Sequence, residues 1–200
     1  MAIVYPLALP AGPPTARRIS LLAKWIVAES VSPFTGQQQI YEHQGSWWEA
    51  KFELPTLTRG QAEPWLAFLL ALNGRSGTFF LGDPASTAPL GNAGGSPVVA
   101  GANQTGKTLA ISGLTGVLKA GDYFHVGSGA TQRLYKNLTD TVGGTPTLDI
   151  FPRLRESPAN LAPLVLTNTQ GVFRLLENTV EWTIDEAKLY GLSFAALEAF

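Results

Sequence analysis

Between Trp47 and Leu54 the side chains alternate strictly. Trp48, Ala50, Phe52 and Leu54 are apolar or small, and Trp47, Glu49, Lys51 and Glu53 fall between them. Successive side chains of a strand point to opposite faces, so this period of two predicts a strand with one buried face. Ile19 to Val27 reads the same way, with Ile19, Leu21, Ala23, Trp25 and Val27 on one face. In a third segment, Val180, Trp182 and Ile184 alternate with Glu181, Thr183 and Asp185. Around Trp65 the period changes. Trp65, Phe68, Leu69 and Leu72 fall at i, i+3, i+4 and i+7, one apolar stripe of a helix whose expected role is core packing. Thr58 and Gln61 have the spacing of a capping box, and Asn73-Gly74 supplies a left-handed stop. Pro64 removes one backbone donor and predicts an irregular first turn.

From Pro84 to Pro97 the chain is almost all Gly, Pro, Ala, Ser and Thr, which marks a linker. Short strands are predicted after it, around Thr108–Ile111, Asp122–Val126, Arg133–Lys136 and Thr147–Phe151. Glycine turns separate them at Gly113, Gly116, Gly121, Gly127, Gly129 and Gly143-Gly144, the pattern of a small β-barrel or sandwich. A second break runs from Glu156 to Pro163, followed by Gly171–Leu176 and the apolar Leu189–Phe200. The aromatic side chains after this break need a core, and residues 1–83 hold the nearest large supply. The expected fold is therefore mainly β. A discontinuous β-sandwich or split-barrel domain with one helix, 1–83 plus 164–200, carries an inserted small β-barrel domain at 84–163.

Composition narrows the functional classes. Of 200 residues, 45% are hydrophobic and only 14% charged, where about 25% charged is typical. A surface short of charge points to burial against partners, with a Ser/Thr/Asn-rich monomer as the alternative. Net charge is −1, and Arg17-Arg18 is the one basic doublet, which argues against sequence-specific DNA binding. The absence of cysteine removes disulfides, thiolate nucleophiles and Cys-type metal sites. Met1 to Pro14 lacks the order of a signal peptide. The longest apolar run, Trp65 to Leu72, is far short of the ~20 residues of a membrane span. A protein made in the cytoplasm, without a membrane span, is expected.

Gly101-Ala-Asn-Gln-Thr-Gly106-Lys107-Thr108 matches the P-loop pattern. A phosphate-binding loop must run into a helix whose N-terminus faces the anion. Here Thr108 to Gly116 is β-like with two glycines, so a turn between strands is expected. Gly191-Leu-Ser193-Phe-Ala195 is a weak echo of a nucleophile elbow, but no His lies downstream of it. His43 and His125 fall in different predicted domains, and Asp122 and His125, three apart on a strand, point to opposite faces. No catalytic, cofactor or metal residue is expected. Five residues stand out as interface candidates: Trp47, Trp48, Phe79 of the run Gly77-Thr-Phe-Phe-Leu81, and the acids Glu181 and Asp185. Sugar stacking on Trp47 or Trp48 with Tyr123 is the rival, a carbohydrate-binding module.

The order of segments resembles the small tail-tip proteins of long-tailed bacteriophages. The resemblance rests on Trp47-Trp48-Glu-Ala-Lys-Phe-Glu-Leu-Pro, the helix with Trp65, and Arg75-Ser-Gly-Thr-Phe-Phe-Leu-Gly-Asp-Pro84. Thr147-Leu-Asp-Ile-Phe-Pro-Arg-Leu-Arg155 and Leu189-Tyr-Gly-Leu-Ser-Phe194 extend it. In architecture the chain is most similar to distal tail proteins. That resemblance implies a β-rich ring domain completed by both ends of the chain, often with a second β-domain. It also implies a structural role at the tail tip of the virion. Such proteins form rings joining the tail tube protein to the tail hub and other tail-tip proteins. The expected partner is thus the chain itself, as a trimer or hexamer, with DNA passing through the channel without specific binding. The acids of segment 171–200, Glu181 and Asp185 among them, are expected either to line that channel or to solvate an outer strand.

Overall fold

The computed structural model describes residues 3–11, 15–144 and 146–200. It is mainly β, with one α-helix among the described residues. The strands are β1 (Arg18–Val31), β2 (Gln38–Glu53), β3 (Phe79–Leu81), β4 (Gly94–Val99), β5 (Gly106–Leu118), β6 (Tyr123–Val126) and β7 (Arg133–Asn137). They continue with β8 (Thr141–Gly144), β9 (Thr147–Leu154), β10 (Leu164–Val165), β11 (Gly171–Leu175), β12 (Trp182–Ile184) and β13 (Tyr190–Glu198). Helix α1 spans Arg59–Ala71. The first sheet has the antiparallel order β1-β2-β13-β11-β3, with β12 paired to β13. The second has the order β10-β6-β7-β9-β5-β4, with β8 on β5. Val98 beside Pro163 brings its two ends together, so this sheet nearly closes into a barrel.

Alternation in β2 places Trp48, Ala50 and Phe52 in the core and Trp47 on the outward face. Phe52 stacks on Phe194 of β13 at 4.4 Å and meets Phe79 edge-on at 6.4 Å. The helix closes this core with Ala62, Trp65, Leu66, Phe68 and Leu69. Its capping contact is present, since Gln61 Oε1 accepts from the Thr58 backbone N–H at 3.0 Å. Asn73 and Gly74 both take left-handed backbone angles, as their sequence predicts. Pro64 lies inside a continuous helix, so the irregular turn expected there does not occur.

The chain leaves the first sheet after β3 and returns at β11, and these two strands pair, Leu81 opposite Gly171. Exit and return are thus neighbours. The crossing is tight: a Cβ on Gly82 would stand 1.8 Å from the Thr169 carbonyl oxygen, so no side chain fits there. Between the crossings lies the second sheet. Leu164 and Val165 pair with β6, so these two residues, expected with the chain ends, belong to the second sheet. The segment expected as a linker, 84–97, contains most of β4.

Two other expectations are corrected by packing. Trp25 and Val27 share the predicted face of β1, yet they are exposed, because β1 and β2 run past the body as a two-stranded arm. The register slips between Trp25 and Val27, and this bulge marks the arm's root. Trp182 and Ile184 alternate as predicted but are also exposed, since β12 pairs only with the first part of β13 and no layer covers it. The Trp47–Leu54 strand has no open edge, because β2 is flanked by β1 and β13.

Candidate interaction surfaces

The five interface candidates divide cleanly. Phe79 is fully buried among Phe52, Phe68 and Phe173, so it is a core residue and not a surface one. Trp48 is only 4% exposed, and its indole Nε1–H donates to the Leu134 carbonyl of the second sheet at 3.1 Å. Trp47 is half-buried on the opposite face, with its Nε1–H on Glu49 Oε1 at 3.1 Å. Glu181 and Asp185 are exposed on the hairpin that β12 and β13 form. Of the residues expected for a sugar platform, Trp48 and Tyr123 are near neighbours, with ring centroids 5.9 Å apart, and both are almost fully buried, while Trp47 lies on the opposite face of β2.

The P-loop match is a turn that enters strand β5, with left-handed angles at Gly101, Asn103 and Gly106. Lys107 forms an ion pair with Glu42 of the arm. Asp122 is buried and structural: its two oxygens accept from the Leu90 and Lys119 backbone N–H groups at 2.6 and 2.7 Å. His125 accepts from the Gln170 N–H through Nδ1 at 3.3 Å, and burial lowers its pKa. Ser193 is an exposed residue within β13. Among the described residues no cluster of His, Cys, Asp or Glu has the makings of a metal site.

What the sequence patterns did not disclose is the contact between the sheets. Trp48, Tyr123, Leu134 and Phe151 share one core cluster, although three of them come from the second sheet. Arg153 N–H donates to Ser46 Oγ at 3.1 Å, and the Arg155 guanidinium donates to the Ser46 carbonyl at 2.6 Å. Arg155 also lies 3.3 Å over the Phe200 ring. Glu198 is buried at this seam, where Oε2 accepts from the Trp48 backbone N–H at 3.2 Å. Burial pushes its pKa up to about 7, against the opposing pull of that hydrogen bond and of Arg155 and Arg133. No spacing rule reaches from residue 198 to residues 48 and 155, so only the fold could reveal it.

Two surfaces remain uncovered. One is the arm, where Trp25, Ile26, Val27, Val31, Phe34, Ile40 and Tyr41 are all exposed, Phe34 at the tip by 95%. The other is the pair formed by the acidic β12–β13 hairpin and a cleft of about 410 Å³ between the arm's root and the second sheet.

No protein-family model matches the chain, and no curated protein matches it. None of the described helices is long and apolar enough to cross a membrane.

Proposed function

We propose that this chain is a structural subunit of the tail tip of a long-tailed bacteriophage, assembling into a ring that connects the tail tube to the tail hub. The observation that carries the reading is the apolar arm. A two-stranded ribbon is marginal on its own in water, and its open edges are templates for pairing with another chain. One that also exposes a row of large apolar side chains gains by being covered. Repetition of one such contact from subunit to subunit closes a cyclic ring, threefold or sixfold. The near-neutral charge suits a ring through which DNA slides without being held by basic residues. Tail tube protein and hub would then sit on the two faces of the ring, in the virion, after synthesis in the host cytoplasm.

The test is to replace residues 27–41 by a two-residue turn and compare the oligomeric state with that of the full chain by native mass spectrometry. The full chain should assemble alone or with co-expressed tail proteins. The shortened chain should keep its circular-dichroism spectrum and melting transition but remain monomeric. A full chain that stays monomeric under both conditions overturns the ring. Assembly that survives loss of the arm removes the arm as its basis.

A further inference from the structure

The cleft at the arm's root has a one-sided chemistry. Trp25 contributes exposed aromatic surface above the almost buried rings of Trp48 and Tyr123, and Lys107, Lys136 and Arg153 contribute charge, while no acidic side chain lines it. Lys136 is held in place, with Nζ 4.2 Å over the Tyr123 ring and donating to the Tyr123 hydroxyl at 3.2 Å. Lys107 is anchored at the rim by Glu42. Trp25 leans on Phe151 at 4.9 Å while remaining more than half exposed.

The opposite chemistry lies at the other end of the same sheet. Ser46 of β2 lines the cleft, whereas the β12–β13 hairpin lies beyond Leu54, with Leu57 bridged to Tyr190. Eight residues of extended strand separate those points, about 27 Å at roughly 3.4 Å per residue. The hairpin and its approach expose Glu177, Glu181, Asp185 and Glu186 against Lys188 alone. They also leave Trp182 and Ile184 exposed, by 40% and 55%. Asp185 forms the turn, its Oδ1 accepting from Leu189 N–H at 2.8 Å, so the hairpin is held in shape before any partner arrives.

We infer that the acidic β12–β13 hairpin of one copy docks into the cationic, aromatic cleft of the next copy. The inference rests on the ring reading and adds to it, beside the arm, a second contact between subunits. Carboxylates of Glu181, Asp185 and Glu186 meet Lys136 and Arg153, and Trp182 is covered by the neighbour's Trp25. Donor and acceptor surfaces lie at opposite ends of one sheet, so the contact is head-to-tail, the type that closes rings. Electrostatic complementarity of this kind sets register and partner choice. In this arrangement Glu181 and Asp185 face the neighbouring subunit and not the DNA channel.

The test uses charge reversal in the full-length chain, with self-association followed by sedimentation. E181K/E186K alters only exposed positions and leaves the Asp185 turn intact, and it should weaken self-association at least tenfold, as close interfacial charge pairs do. K136E/R153E should do the same, with folding checked by its melting transition. The decisive variant carries both reversals in one chain, since a basic hairpin then faces an acidic cleft, and it should recover assembly. A monomeric wild type overturns the ring reading and this contact together. A wild type that assembles while E181K/E186K assembles equally well overturns the contact and leaves the ring. Saturable binding of polygalacturonate to the cleft, lost in K136E/R153E with assembly unchanged, would assign the cleft to an anionic saccharide and likewise overturn the inference.

Discussion

Glu198 is the residue whose chemistry is most altered by its surroundings. The folded chain holds its carboxyl proton up to about pH 7, while the unfolded chain releases it near the ordinary 4.5. Between those values the native state binds more protons, so stability falls as pH rises. The contribution is fully present below about pH 4.5 and lost as pH passes 7, about 3 kcal/mol at most by linkage. Arg155 and Arg133 oppose the shift, and Tyr135 shares the seam, its own pKa raised first by burial and then by Glu198. His125 works the other way: burial lowers its pKa, so acid below about 6.5 destabilises the fold through it. Comparing Glu198→Gln with wild type cancels that second effect. The amide still accepts from Trp48, so the variant should lose the fall in melting temperature between pH 5 and 7 and be the more stable protein at pH 8. Parallel pH profiles for the two proteins would remove Glu198 from this role.

At the level of elements, β11 and β12 show how two short strands that each carry an aromatic residue can meet opposite fates. Phe173 of β11 is completely buried, between β3 and β13 in the sheet order. Trp182 of β12, another aromatic strand residue, is 40% exposed. Truncating a buried Phe removes both transfer energy and packing, so Phe173→Ala should cost about 3–5 kcal/mol of unfolding free energy in urea. Trp182→Ala should cost clearly less than Phe173→Ala, because 40% of the residue remains in water and its removal opens no enclosed cavity. Its effect should appear in self-association instead. Equal stability losses in the two variants would show that β12 is packed more tightly than the structure has it. Deleting 172–200 would remove β11 and β13 from the middle of the sheet, a loss no remaining strand could bridge.

At the level of the whole molecule, the second sheet hangs on the first by neighbouring crossings at Gly82 and Gly171. Loop closure there costs little entropy, so residues 84–168 can be replaced by a short Gly/Ser turn. The two sheets are not independent, however. Tyr123, Leu134 and Phe151 leave the core around Trp48 in that variant, and the Trp48 indole loses its acceptor. The first sheet should therefore still unfold cooperatively, but with stability lower by several kcal/mol. Loss of any cooperative transition would mean that the two sheets fold only as one unit.

Local patterns determined the elements. Alternation at 47–54, the helical stripe at 65–72 and the stop at Asn73-Gly74 are visible because backbone geometry imposes their periods on nearby residues. The shift from aromatic-rich to Gly/Pro-rich sequence also marked where the chain passes from one sheet to the other. Periodicity says that one face differs from the other, but not whether a layer lies against it. Alternation therefore assigns Trp25, Trp182 and Ile184 to a core that leaves them exposed, and an aromatic run assigns to the surface Phe79, which β2, α1 and β11 enclose. The seam of Glu198, Trp48 and Arg155 and the cleft beside it join residues more than a hundred positions apart. Only the tertiary structure could decide those, because burial and electrostatics act through space while sequence patterns record only what is local along the chain.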